Sequence, residues 1–214
     1  MSYNQQGRYN NHLICGVGLN DADYVVYPTI NGKRVPCHYF FTWRDMIRRC
    51  YSDKHQLRHP SYKGCSVVEE WHTFSNFRAW METQDWKGKD LDKDLLIPGN
   101  KVYGPDTCMF VSHQVNTIMN VNPPSKYKQG VARHKGMKAG GSGKNYFARI
   151  RKYGKHILLG SFYSEDEAHE AYLVERKKYI IEVADTQDDI VKNILYNYAK
   201  GLKNESKCAK LVLD

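Results

Sequence analysis

The segment "YFARIRKYGKHILLGSFYSEDEAHEAY", residues 146–172, constrains the fold more than any other part of the chain. In its first part Ala148 and Ile150 alternate with Arg149 and Arg151, and successive residues of a strand point to opposite faces. The Tyr-Gly pair that follows is a turn signal between two strand-like runs. The pattern therefore predicts a β-hairpin with one mostly apolar face and one face that carries two guanidinium groups.

The residues after the hairpin predict a helix that covers the apolar face. Ser164 and Glu167 have the spacing of a capping box, acidic residues fill the first turn, and Ala168 and Tyr172 recur at helical intervals. The run "GVARHK", residues 130–135, adds a strand before the hairpin. We therefore expect a three-stranded antiparallel sheet packed on a helix, with the basic face left open.

The positive charge of the chain is concentrated in this region. Lys+Arg total 32 and Asp+Glu total 23, and residues 126–160 contain ten of the cations and no acid. Outside that segment the charges nearly balance. Because a solvated surface normally carries both signs, the segment indicates a surface for a polyanionic partner.

These residues resemble the plant ethylene-response or Apetala-type DNA-binding domain. The family pattern runs GV, AxIR, LGTF and EEAAxAY, and this chain has "GV", "YFARIR" and "LLGSFYSEDEAHEAY" in that order over residues 126–184. The resemblance implies that the sheet enters the major groove of DNA. It also implies contacts from His134 on the first strand, Arg149 and Arg151 on the second, and His156 on the third.

The base preference of the plant domains does not carry over to this chain. Ala132 stands where those domains have arginine, and Gly136 and Leu158 stand where they have tryptophan. Flanking lysines are expected to contact phosphates. The candidate DNA-binding residues are His134, Lys135, Lys138, Lys144, Arg149, Arg151, Lys155 and His156.

The physical argument for the two arginines is independent of the family. A ribbon of β-strands fits the major groove of B-DNA, and arginine pairs well with guanine O6 and N7. The major groove of an RNA duplex is too deep and narrow for such a sheet. The expected partner is duplex DNA, and an RNA-binding factor is a weaker alternative.

The amino-terminal half predicts helices around an aromatic core, followed by a strand-loop-strand-helix order. "HYFFTWRDMIRRCY" and "TFSNFRAWMETQ" place apolar residues at helical spacing, and we expect Trp43, Trp71 and Trp80 to lie in the core. "DLDKDLL" and "TCMFV" predict strands on either side of a turn region, "IPGNKVYGPD". Ser112 is a candidate cap for a helix that runs through Asn120.

This half resembles the phage-borne HNH (His-Me finger) endonucleases of the free-standing homing type. The resemblance lies in "TWRDMIRRCY", the aromatic run near residue 77, "LDKD", "YGPDTC" and Asn116, and it covers residues 38–122. It implies a ββα-metal domain that uses Mg²⁺ or Mn²⁺ to hydrolyse phosphodiesters. In members of that group an Apetala-type domain often follows the nuclease domain.

The resemblance implies a metal site, but the motif of this chain is degenerate. Asp92 falls on a metal-ligand position, Asn116 falls on the helix residue that completes the metal site, and Asp94 could add an oxygen. Lys93 stands where an active enzyme has its histidine base, and an ordinary lysine is protonated at neutral pH. The candidate catalytic residues are Asp92, Lys93 and His113, and the candidate metal ligands are Asp92, Asn116 and Asp94.

These residues can also be explained without catalysis or metal binding. The alternating aspartates and lysines can be surface ion pairs that contribute little to stability, and His113 can be an ordinary histidine at the start of a helix. The six cysteines form no CxxC pair and are expected to be reduced. A zinc site that draws on Cys50, Cys65 and Cys108 is the minor alternative.

The predicted fold class is α+β, with an HNH-like ββα-metal domain before a three-stranded sheet on a helix. The expected divisions are an extension at residues 1–37, a nuclease-like domain at 38–122, an Apetala-type domain at 126–184, and a helix and tail at 185–214. No apolar run approaches the roughly 20 residues of a membrane span, and the polar start lacks a secretion signal. We therefore expect a cytoplasmic protein without a membrane partner, and the resemblance to phage-borne enzymes implies that the cytoplasm is that of an infected bacterium.

Two functions fit these features and differ only in catalysis. The first is a sequence-directed, Mg²⁺-dependent DNA endonuclease. The second is a DNA-binding or protein-interaction module with a silent nuclease fold, acting as a repressor, accessory factor or host-interference factor.

Overall fold

The computed structural model describes residues 13–120, 126–134 and 143–202, and the α+β fold class is confirmed. The chain divides into two compact units at the boundary between Asn116 and Thr117. Lys135 and Lys138 lie outside the described residues. Within the described part of the chain, no helix is long and apolar enough to cross a membrane.

The first unit is built of short strands and helices. Its strands are β1 (Thr29–Ile30), β2 (Lys33–Arg34), β3 (Ser66–Val67), β4 (Lys89–Asp92), β5 (Val102–Tyr103) and β6 (Met109–Ser112). Its helices are α1 (His38–Tyr51), α2 (Asp53–Arg58), α3 (Phe74–Glu82) and α4 (His113–Met119), and α4 crosses the boundary of the unit. Single 3₁₀ turns occur at Pro60–Tyr62 and Glu69–His72.

The core of the first unit lies between α1 and α3. Trp43 and Trp71 are buried, and the indole nitrogen of Trp43 donates a hydrogen bond of 2.8 Å to the carbonyl of Trp71. Trp80 is half-buried and stacks on Phe110, with ring centroids 5.7 Å apart. The prediction that these tryptophans belong to the core is confirmed for Trp43 and Trp71, and Trp80 packs against the core from its edge.

The strands of the first unit form three two-stranded sheets. β1 pairs with β2 and β4 pairs with β6, both antiparallel, whereas β3 pairs with β5 in parallel. The sequence interpretation of "IPGNKVYGPD" as turn throughout is wrong at Val102–Tyr103. That two-residue strand exists because the remote strand β3 supplies its hydrogen-bonding partners.

The second unit has the predicted sheet and helix. β7 (Val131–Arg133), β8 (Tyr146–Lys152) and β9 (Lys155–Phe162) form an antiparallel sheet in the order β7-β8-β9. The 20-residue helix α5 (Glu165–Ala184) packs on one face of the sheet, and α6 (Asp189–Gly201) packs on α5. The prediction of a sheet covered on one side by a helix is confirmed.

Local features of the second unit also follow the sequence signals. Ser164 accepts the backbone N–H of Glu167 as the N-cap of α5. Tyr153 and Gly154, with φ of +50° and +79°, form the two-residue turn between β8 and β9. The helix predicted within residues 185–214 is α6, and it ends at Gly201.

Candidate nucleic-acid interface and carboxylate cluster

One face of the three-stranded sheet is not covered by α5, and we call it the open face. The register aligns Ala132 with Phe147, Arg149 with Leu158, and Arg151 with His156. Because cross-strand partners point to the same side, side chains from all three strands share this face. The open face consists of Ala132, His134, Phe147, Arg149, Arg151, His156, Leu158 and Ser161.

The two arginines project from the centre of the open face. Arg149 and Arg151 are exposed, whereas Ala148, Ile150 and Lys152 between and beside them are buried towards α5. The side chain of Arg151 also donates from Nε to the carbonyl of Gly154 at 3.3 Å, which orients it along the hairpin. The prediction that both guanidinium groups lie on the side opposite the helix is confirmed.

A β-bulge separates the two halves of the open face. The register between β8 and β9 shifts at Ala148 and Arg149, so Leu159 is the extra residue on β9. Bulges increase local twist and re-aim neighbouring side chains. Beyond the bulge, Leu158 lies opposite Arg149 and is 65% exposed.

The histidines differ in their surroundings. His134 is half-buried, forms a 3.1 Å hydrogen bond with the hydroxyl of Ser161, and lies against the ring of Phe147. His156 is exposed opposite Arg151. His134 is therefore held in one orientation by its neighbours, while His156 stands next to a guanidinium group at the surface.

Lysines border the open face. Lys144 precedes β8, is exposed, and places its ammonium group 5.5 Å from the ring centroid of Tyr163. Lys155 is exposed at the first position of β9. Together with the arginines, these groups offer cationic donors to an anionic partner that presents hydrogen-bond acceptors.

Two cations of the basic segment are neutralised by α5. Lys152 is buried and forms ion pairs of 2.8 and 3.1 Å with Glu175 and Glu182. Lys128 forms an ion pair of 2.7 Å with Asp166. The charge available on the surface is therefore smaller than the sequence count, because the segment folds against the acidic helix that follows it.

In the first unit, β4 and the start of α4 bring three polar side chains together. Asp90 lies opposite Val111 in the β4–β6 pair, and α4 begins two residues after Val111. Oδ2 of Asp90 accepts hydrogen bonds from Nδ1 of His113 at 2.8 Å and from Nδ2 of Asn116 at 3.0 Å. Ser112 accepts the backbone N–H of Val115, as a cap for α4 should.

These hydrogen bonds set the protonation of Asp90. Partial burial raises its pKa, but the bonds from Asn116 and His113 outweigh burial and hold that pKa below its usual range. The His113 side chain is 84% exposed. When it is neutral, an imidazole whose Nδ1–H is held by a carboxylate has its lone pair on Nε2, the arrangement of an oriented general base.

Asp92 and Asp94 flank Lys93 at the end of β4. Oδ1 of Asp92 accepts the backbone N–H groups of Asp94 at 2.9 Å and Leu95 at 2.7 Å, so it shapes the turn that follows the strand. Burial, and then the neighbouring charge of Asp94, raise the pKa of Asp92. Asp92 is therefore a turn-forming residue as well as a candidate ligand.

Lys93 is buried rather than aimed at solvent. It is 8% exposed, and its Nζ lies 2.9 Å from Oδ2 of Asp94. Burial lowers its pKa, but the hydrogen bond and charge of Asp94, with a further contribution from Asp92, raise it above the usual value. A protonated lysine cannot accept a proton from water, so this geometry gives Lys93 the role of a cation and not of a base.

The candidate metal ligands do not form one oxygen-rich cradle. The structure places Asn116 with Asp90, and its amide nitrogen points to the carboxylate. Asp92 uses one oxygen on backbone N–H groups, and Asp94 uses one on Lys93. Within residues 13–120, 126–134 and 143–202, no group of three or more His, Cys, Asp or Glu side chains could hold a metal ion.

The cysteines of the alternative zinc set lie in the core. Cys50, Cys65 and Cys108 are buried free thiols. Burial raises the pKa of Cys50 and of Cys108 to about 12, so both remain protonated at neutral pH. Protonated thiols are poor metal ligands and poor nucleophiles.

Sequence reasoning missed the pairing of Asp90 with His113. The predicted order of strand, loop, strand and helix indicates that the start of β4 lies near the start of the helix, but the pairing itself depends on the register of β4 against β6. The exposure of Leu158 was also missed, because a leucine at that position suits the buried side of a strand equally well.

Comparison of this chain with protein-family models, with curated proteins and with solved structures gives no match.

Proposed function

We propose that this protein binds duplex DNA through the open face of its second unit. The observation that carries the proposal is the exposure of Arg149 and Arg151 side by side on an uncovered antiparallel sheet. Lys144 and Lys155 at the border of that face supply further positive charge. No acidic residue occurs between residues 126 and 160 to oppose a phosphate backbone.

The chemistry of the open face suits base recognition in the major groove. Guanidinium groups can bond guanine O6 and N7, and an exposed aliphatic group such as Leu158 can contact the methyl group of thymine. Arg149 and Leu158 are cross-strand partners, so the two contacts would fall on neighbouring bases. The face thus combines phosphate contacts at its border with base contacts at its centre.

The proposal is tested by measuring the affinity of the full chain for labelled duplexes by fluorescence anisotropy. Arg149→Ala with Arg151→Ala should weaken binding, by about 1–3 kcal/mol for each arginine that pairs with a guanine. The matched control is Lys177→Ala with Lys178→Ala, which removes the same charge from exposed positions of α5. An equal loss in both double variants would reject base readout by the open face.

The same assay separates the kinds of nucleic acid. Duplex DNA of the preferred sequence should bind more tightly than an RNA duplex of the same sequence, because the A-form major groove excludes a sheet. Tighter binding of RNA would replace the proposal with the RNA-binding alternative.

A second candidate function is phosphodiester hydrolysis in the first unit, and the Asp90–His113 pair favours it. Asp90 would orient the imidazole of His113, and His113 would take the proton of an attacking water. Asn116 would hold Asp90 in place through the second hydrogen bond. The order of β4, β6 and α4 agrees with the ββα element that the sequence resembles.

The Mg²⁺ or Mn²⁺ implied by that resemblance does not fit the residues that it assigns. Such an ion takes oxygen ligands, often one or two carboxylates plus waters. Asp92 and Asp94 are engaged by backbone N–H groups and by the ammonium of Lys93. We therefore place duplex binding first and phosphodiester hydrolysis by the first unit second.

Hydrolysis is tested by following the nicking of supercoiled plasmid and of phage DNA with Mg²⁺, with Mn²⁺ and with a chelator. His113→Ala and Asp90→Asn are compared with His59→Ala, a histidine outside the pair. Nicking by wild type that both site variants lose, and His59→Ala keeps, would establish the enzyme. Absence of nicking with DNA binding intact supports the binding module.

A further inference from the structure

Asp92 and Asp94 are held close together by the turn at the end of β4. The two backbone N–H groups bound by Oδ1 of Asp92 belong to Asp94 and Leu95, so the chain folds back towards the Asp92 carboxylate. The charge of Asp94 acts directly on Asp92. Two carboxylates in one partly buried turn repel each other unless a cation lies between them.

Lys93, the residue between the two aspartates in the sequence, supplies a cation in this turn. Lys93 is 8% exposed, and lysine is rarely buried to that extent without a charged partner. Its ammonium lies 2.9 Å from Oδ2 of Asp94 and 5.9 Å from the ring centroid of Tyr103. Its backbone is also fixed, because Nδ2 of Asn100 donates to the carbonyl of Lys93 at 2.7 Å.

We propose that Lys93 is a built-in cation that takes the place of a divalent metal ion at the Asp92–Asp94 turn. With the ammonium in place the turn carries a net charge of about −1, and the ammonium is already paired with the Asp94 carboxylate. A divalent ion would have to displace an ammonium group that is covalently tethered at the site. The wild-type turn therefore binds no Mg²⁺ or Mn²⁺, and it becomes able to do so when the lysine charge is removed.

Without the ammonium, two carboxylates with access to water meet the usual requirement of Mg²⁺ or Mn²⁺, which keep several waters as ligands. The tethered cation has an effective concentration that free metal ions do not reach under ordinary conditions. This inference stands apart from DNA binding, since it concerns only the charge of one turn.

The test uses Mn²⁺ as the probe and electron paramagnetic resonance of free Mn²⁺ as the readout. Wild type and Lys93→Met are titrated, with Lys89→Met as the matched control, because Lys89 lies on the same strand and pairs with Asp85. Lys93→Met should bind Mn²⁺ at least about tenfold more tightly than wild type and the control, a difference that corresponds to about 1.4 kcal/mol. The gain should disappear in Lys93→Met combined with Asp94→Asn.

Loss of folding in Lys93→Met does not remove the test. In that case circular dichroism should show that Mn²⁺ restores the fold while NaCl of equal ionic strength does not. Two results would overturn the proposal. One is Mn²⁺ binding by wild type that Asp92→Asn abolishes, and the other is a Lys93→Met protein that neither binds Mn²⁺ nor is restored by it.

Discussion

Gly130 occupies a position where no larger residue fits. Its φ is +78°, and a β-carbon there would lie 2.1 Å from a ring carbon of Tyr172, which packs on the sheet from α5. Gly154 has nearly the same φ, +79°, but a β-carbon there would meet no atom within 4 Å. A side chain at Gly154 would therefore meet backbone strain alone, whereas a side chain at Gly130 would meet backbone strain and steric overlap with Tyr172.

We predict that Gly154→Ala destabilises the protein by about 1–2 kcal/mol, the cost of a left-handed alanine. Gly130→Ala should cost more, because the overlap with Tyr172 adds an overpacking penalty of about 1–3 kcal/mol. Urea denaturation of both variants measures the difference. Equal losses would show that Tyr172 can move aside without cost.

Asp90 and Asp92 lie two residues apart on β4, and their pKa values shift in opposite directions. The folded pKa of Asp90 is depressed, so its stabilising contribution is present above its unfolded pKa and is lost as the pH falls through the folded value. The folded pKa of Asp92 is raised, so stability is lost as the pH rises through that value. At neutral pH the charge of Asp90 stabilises the fold, and the charge of Asp92 opposes it.

Asp90→Asn should therefore lower the free energy of unfolding at neutral pH, and Asp92→Asn should raise it. Asparagine keeps the oxygen that caps the turn at Asp92, so the second change removes charge without removing the acceptor. Denaturation measured between neutral pH and pH about 3 checks both signs, because both differences should shrink as the carboxyl groups become protonated. A more stable Asp90→Asn variant or a less stable Asp92→Asn variant at neutral pH would contradict the assigned environments.

At the scale of elements, local sequence signals predicted those parts of the fold that depend on local interactions. The helix cap at Ser164, the turn at Tyr153–Gly154 and the alternation around Arg149 were readable because each is set by neighbours in the chain. The strand β5 was not readable, since its two residues gain a partner only from remote β3. The Asp90–His113 contact was missed for the same reason, as it needs the register of β4 against β6.

The cap of α5 gives a prediction at this scale. Ser164→Ala should destabilise the second unit by about 1 kcal/mol, because the N–H of Glu167 loses its acceptor. Ser164→Asn should retain most of the stability, since asparagine caps helices as well as serine does. Thermal denaturation of the two variants provides the comparison, and an equal loss in both would mean that the hydroxyl is not acting as a cap.

At the scale of the whole molecule, folding redistributes the charge that the sequence concentrates. Lys152 and Lys128 are committed to acids of α5, while Lys144 and Lys155 remain at the surface. The count of ten cations could be obtained from the sequence, but the internal neutralisation could not, because it depends on which face of the sheet α5 covers. The salt dependence of duplex binding should follow the surface charge only.

We predict that Lys144→Ala or Lys155→Ala reduces the slope of log affinity against log salt by roughly 0.9 for each lysine that contacts a phosphate. Lys152→Met should leave the slope unchanged, because its ammonium group is held between Glu175 and Glu182. Affinities measured over a range of salt concentrations give the slopes. A reduction of the slope in Lys152→Met as large as that in the surface variants would contradict this assignment.

The most direct test of the proposed function is to locate bound DNA on the surface of the second unit. A photoreactive phenylalanine is placed at Leu158 on the open face and, in a second protein, at Val174 on the exposed side of α5. The account predicts a crosslink to duplex DNA from position 158 that unlabelled duplex competes away, and none from position 174. Equal crosslinking at both positions, or none at 158 by a protein that still binds the duplex, would contradict it.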